Sequence, residues 1–197
     1  GSELSPEVHS LRRFRDTRIL PTFAGSQFMA VFDSFYYSFS PNVAKYISRS
    51  MAARSLLKVL LYPLIKILSL AELASRPFTF NGELGAFVAG FVASALIGAV
   101  YVFPVFLIPL ILMNRRRMLP SRKPILSLTF LFLFSILIVI VSEFSKSAFV
   151  MMFATSSLVL TTIFLSSLLL GVAVVKSLSA FKHFLSVRWS SKRFSRG

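Results

Sequence analysis

Three charge-free apolar runs occupy the second half of the chain. Leu84 to Met113, Ile125 to Val141 and Ala148 to Val175 contain no Asp, Glu, Lys or Arg. A hydrocarbon core of about 30 Å takes roughly 20 apolar helical residues, so each run is predicted to be a transmembrane helix. The first would measure about 45 Å as a straight helix. Pro104 and Pro109 in its second half predict a kink or tilt there. Between the second and third runs stand only Ser142 to Ser147, which predicts a tight antiparallel hairpin.

The first half is patterned differently. Ser5-Pro6-Glu7 reads as a helix start, with a cap, a proline at the first helical position and an acid in the first turn. Leu4, Val8, Leu11 and Phe14 follow at helical spacing, and Arg12 and Asp16 stand four residues apart on another face. Pro21 ends this helix and Gly25 permits a turn. A second helix is predicted through Phe28, Phe32, Phe35 and Tyr36. Ser40-Pro41 repeats the cap-and-proline signal and starts a third through Val43, Ile47 and Met51. Such short amphipathic helices, over residues 1–54, are too small to bury a core alone and are expected on the membrane or a partner.

Ser55 to Ala74 is apolar but carries Lys58, Lys66, Glu72 and a central Pro63. A charge at the bilayer centre costs about 2.5–3.5 kcal/mol on insertion scales. Residues 55–82 therefore read as an interfacial or re-entrant helix and its connection, which puts the N-terminal region outside. The alternative is a fourth span with the N-terminus inside, favoured by the basic residues ahead of Ser55. The fold class expected is an all-α integral membrane protein, with three transmembrane helices in residues 83–176 preceded by amphipathic, interfacial helices.

Charge adds orientation. The 197 residues are 55% hydrophobic, too apolar for the surface of a soluble domain, and carry 22 Lys and Arg against 7 Asp and Glu. These cations flank apolar runs, which points to membrane orientation and anionic lipid headgroups and away from nucleic acid. The loop between the first two spans holds Arg115, Arg116, Arg117, Arg122 and Lys123. The tail, residues 177–197, holds Lys182, Arg188, Lys192 and Arg193, with Trp189 as an aromatic anchor. Basic loops stay in the cytoplasm. The C-terminus is therefore expected inside, and Glu83 and the hairpin turn outside, in the cell membrane.

Candidate chemistry is sparse. Without cysteine the chain has no disulfide, thiolate nucleophile or Cys-ligated metal. His9 and His183 are predicted on opposite sides, so no shared metal site is expected, and neither is a cofactor. Arg12, Arg15 and Asp16 read as a structural clamp ordering the first helix. Ala86, Gly90, Ser94 and Gly98 recur at every fourth residue of the first span, a ladder that admits a close helix, whether from a partner or from this chain's own bundle.

Leu11-Arg12, Phe14-Arg15-Asp16, Thr22, Gly25, Phe28, Tyr36-Tyr37, Ser40-Pro41, Ala44, Ile47, Arg54 and Pro63-Leu64 together resemble the CFI-box C-terminal domain family over residues 1–66. Gly1 to Leu4 are similar to the residues closing that family's box, whose cysteine half is absent, and Lys58 stands where a family arginine is expected. The resemblance implies a domain of membrane-attached, surface-exposed proteins with no enzymatic activity, frequent in ammonia-oxidising archaea. The function expected is a non-catalytic accessory subunit of a larger membrane complex, with other integral membrane subunits as partners. The family's distribution suggests an archaeal ammonia-oxidising or respiratory assembly as host. A self-standing anchor or surface-assembly protein processed from a longer precursor is the second expectation, and a small transporter or channel the third.

Overall fold

The apolar runs become long helices. In this computed structural model the backbone is described for residues 9, 12–78, 80–112 and 122–194, and side chains for 9, 12–78, 80–107 and 123–177. No strand occurs among the described residues. The helices are α1 (Phe23–Arg49), α2 (Met51–Ser75), α3 (Gly82–Ile97), α4 (Phe103–Leu112), α5 (Arg122–Ser145) and α6 (Ala148–Phe194). Three stretches are long and apolar enough to cross a membrane: Gly82–Leu107, Lys123–Ser145 and Ala148–Ser177. The protein is an all-α membrane protein with three such helices.

Several boundaries differ from expectation for identifiable reasons. Ser40-Pro41 starts no helix. Both residues lie inside α1, which runs unbroken over 27 residues. The break falls at Ser50, whose backbone is extended and whose side chain accepts from Ala53 N to cap α2. The Arg54 side chain also reaches back to the carbonyls of Ile47 and Ser48 in the last turn of α1, where Ile47 O additionally accepts from Ser50 N. A capped joint with its own guanidinium outweighs the Ser-Pro signal. Gly25 makes no turn. It lies in the first turn of α1, where a Cβ would stand 2.1 Å from the Ile19 carbonyl oxygen.

The first span is irregular ahead of its prolines. A π-helical turn at Gly98–Val102 joins α3 to α4, and Phe103 N donates to Gly98 O. Pro104 cannot donate, and its ring crowds the carbonyl four residues back, so a widened turn accommodates it. The α5–α6 turn is tighter than six residues, because α5 continues to Ser145. Lys146 makes the reversal in the left-handed region at φ 52°. Past Val175, α6 continues to Phe194 as one 47-residue helix, about 70 Å long. No Gly or Pro follows Gly171 within it, so no helix breaker separates a tail helix from the span.

Two seams hold the bundle. α5 and α6 pack as an antiparallel pair, and α2 packs against α3. The second seam sets Ile67 and Ala71 of α2 with Ala89 and Ala93 of α3, closed by Phe14. Small residues every fourth position let these two backbones approach closely. Near the α2–α3 connection a Cβ on Gly85 would meet the Phe78 carbonyl oxygen at 3.3 Å. Toward the other end the Tyr101 hydroxyl donates to the Leu60 carbonyl. α2 therefore runs antiparallel along most of the first span. α1 packs mainly on α6.

Candidate helix-docking surface

Of the small-residue ladder, the structure uses three members inside the chain and leaves one open. Gly98 meets α6. A Cβ there would stand 2.1 Å from Ser166 Oγ and 2.2 Å from the Ile163 carbonyl oxygen, so only glycine permits this approach. Ala86 and Ser94 are buried, and Ser94 Oγ returns its hydrogen bond to Gly90 O at 2.7 Å. A Cβ on Gly90 would meet nothing within 4 Å, and the same holds for Gly171 on α6. The ladder is thus not one face. The pair that packs on α2, Ala89 and Ala93, lies one register over. Its signal was present in the sequence as small residues four apart facing Ile67 and Ala71, at the same spacing in α2.

From Phe91, the residue after Gly90, a shallow apolar cleft of about 130 Å³ opens between α3, α5 and α6. Phe91 and Ala95 form one wall, Phe132 another, and Thr162, Ser166 and Leu169 the floor. The Phe91 and Phe132 rings contact across its mouth with centroids 6.0 Å apart. Deeper in the α5–α6 seam, Ser135 and Ser157 share a hydrogen bond of 2.9 Å. Thr155, Thr161, Thr162 and Ser166 on α6 instead bond back to carbonyls of their own helix.

The expected clamp forms only in part. Arg15 Nε donates to Asp16 Oδ1 at 2.7 Å, whereas Arg12 is exposed and joins no ion pair among the described residues. Residues Arg15–Ile19 adopt a π-helical turn, which takes Asp16 out of the i,i+4 register with Arg12. The hydrogen bond to Asp16 raises the Arg15 guanidinium above its ordinary value, with the Asp33 carboxylate adding to the effect. Both partners are well exposed, so the pair orients more than it stabilises. Arg115, Arg116 and Arg117 lie outside the described residues. Lys182, Arg188, Trp189, Lys192 and Arg193 lie on the last turns of α6, with their side chains outside the described residues.

One contact was not foreseeable from sequence spacing. Glu83, in the first turn of α3, accepts from Phe23 N at 2.7 Å, across 60 residues. Thr22 Oγ1 accepts from Gly25 N at 3.1 Å in the same turn of α1. A carboxylate at a helix N-terminus satisfies an orphan donor and complements the macrodipole. Glu83 here serves two helices, its own and α1. The Lys146 ammonium lies 5.1 Å from the Phe23 ring centroid and pairs with Glu143. The starts of α1 and α3 and the α5–α6 turn therefore share one end of the molecule. Comparison with family models, curated proteins and solved structures finds no match for this chain.

Proposed function

We propose that this chain is a non-catalytic accessory subunit of a larger integral membrane complex. The observation that carries this reading is the open face of the first span. A Cβ on Gly90 would meet nothing within 4 Å, and the next residue along, Phe91, walls an apolar cleft together with Ala95 and Phe132. Between helices in lipid, association relies on close packing, and a small residue next to a notch is what a partner helix requires. The wider surface is in keeping: Phe130, Leu133, Phe149 and Phe153 are each more than half exposed.

The orientation we propose has the C-terminus cytoplasmic and the N-terminal region extracytoplasmic, in the cell membrane. The basic segment around Arg115 to Arg117 and the tail from Lys176 support it. The likeness of residues 1–66 to the CFI-box C-terminal domain supports it too, since that domain belongs to membrane-attached surface proteins. An ammonia-oxidising or respiratory assembly would be a host of the right kind.

The test is purification of the native chain in mild detergent, with identification of co-migrating subunits, for the natural protein and for Gly90→Leu. The natural protein is expected to carry stable partners. Gly90→Leu is expected to lose them while keeping its own thermal midpoint, because the added side chain enters open space. A natural protein that runs alone overturns the proposal.

A further inference from the structure

The apolar surface of the α1–α2 pair is the largest feature that the three spans leave unexplained. Phe35, Tyr37 and Tyr46 on α1 are at least 66% exposed, as are Met51, Val59 and Tyr62 on α2. Both helices begin or end at the Glu83 end. α1 starts there through the Phe23–Glu83 hydrogen bond, and α2 ends there beside Gly85. Each is about 37–40 Å long, so the Ser50 joint lies roughly one membrane thickness away. α2 follows the first span for about 22 Å of that distance, from the Gly85 region to the Tyr101–Leu60 hydrogen bond, and its first residues, up to Val59, extend toward the joint beyond that contact. A helix packed along a transmembrane span lies at the depth of that span, with hydrocarbon around it, and not in the interfacial plane.

We propose that α1 and α2 form a helical hairpin that crosses the bilayer and returns, with its exposed aromatic and aliphatic flank against lipid hydrocarbon and its joint in the anionic headgroups of the opposite leaflet. Two crossings cancel, so the N-terminal region stays on the Glu83 side while α2 still traverses the membrane. The charges fit this placement. Around the joint stand Lys45, Arg49, Arg54 and Lys58, and no acid occurs between Asp33 and Glu72. α4 ends and α5 begins at that same end, next to Arg122 and Lys123, giving one uniformly basic side. The Glu83 end is mixed, with Arg76 and Lys146 against Glu72, Glu83 and Glu143, while the segment from Arg12 to Arg18 packs farther along α3, where Phe14 joins Ile67, Ala71, Ala89 and Ala93.

Lys66, well inside α2, is accommodated. Its ammonium lies 5.8 Å from the ring centroid of Tyr62, one turn nearer the joint, so it snorkels toward the basic side over an aromatic face.

The absence of cysteine makes the test direct. Single-cysteine variants Ser48→Cys and Met51→Cys mark the joint, Phe35→Cys and Tyr62→Cys the flank, Phe80→Cys the Glu83 end and Ser177→Cys the far end of the third span. Each is labelled with a membrane-impermeant maleimide in intact cells, in inverted vesicles and in detergent, using variants that run as a single species by size exclusion. The joint positions are expected to label from the same side as Ser177→Cys and from the side opposite Phe80→Cys. The flank positions are expected to lose labelling in sealed membranes and regain it in detergent. Joint labelling from the Phe80→Cys side overturns the proposal. So does full labelling of the flank in sealed membranes, which would place that face in water. Flank cysteines still protected in detergent would assign that face to a protein partner and overturn the proposal as well.

Discussion

A single methyl group tells apart two glycines that stand about two helical turns from each other on the first span. At Gly98 the added carbon would lie within van der Waals overlap of the Ile163 backbone, so α3 and α6 must move apart. Gly98→Ala is expected to destabilise by about 1–3 kcal/mol, the usual cost of overpacking. Gly90→Ala meets open space and is expected to be neutral or to gain up to about 1 kcal/mol from helix propensity. Thermal unfolding of both variants in mild detergent measures the difference, and equal midpoints would contradict the packing described. The ladder itself could be read in the sequence, because small residues at fourth positions are a local pattern. Which rung meets another helix could not, because Ile163 and Ser166 reach Gly98 only through the fold.

Among the helices, local and distant signals divide in the same way. The three spans were legible because a bilayer imposes one condition, an uncharged run of sufficient length, and the chain meets it without ambiguity. The joint between α1 and α2 was not. Ser40-Pro41 is the stronger local signal, yet the chain stays helical through it and breaks at Ser50, where Arg54 and the Ser50 hydroxyl satisfy the exposed backbone. Pro41 therefore sits in a helix interior, where it removes a hydrogen bond and crowds the carbonyl of Tyr37. Pro41→Ala is expected to stabilise α1 by up to about 3 kcal/mol, seen as slower proteolysis between α1 and α2 and a higher thermal midpoint. Were Pro41 the first residue of a helix, the same substitution would be neutral or harmful.

Across the whole molecule, the attachment of α1 to the start of α3 rests on one carboxylate. Glu83 links the start of α1 to the start of α3, while Lys146 brings the α5–α6 turn against Phe23. Glu83→Ala leaves the Phe23 N–H without its acceptor and is expected to cost about 1.5–3 kcal/mol, the range for a hydrogen bond to a charged group. The loss would register as detachment of α1, measured by hydrogen exchange at residues Phe23 to Met29 and on the face of α6 that α1 covers, with the Ser135–Ser157 side of the α5–α6 pair unaffected. From the sequence, Glu83 is expected only on the outer side, just ahead of the first apolar run. That it caps a second helix follows from topology alone. The 60 residues between donor and acceptor also carry a meaning in time. At about 5–20 residues per second of synthesis, Phe23 is added to the chain about 3–12 s before Glu83 exists. During that interval α1 has no anchor in this chain, and its aromatic flank is free for whatever insertion machinery or lipid receives it first.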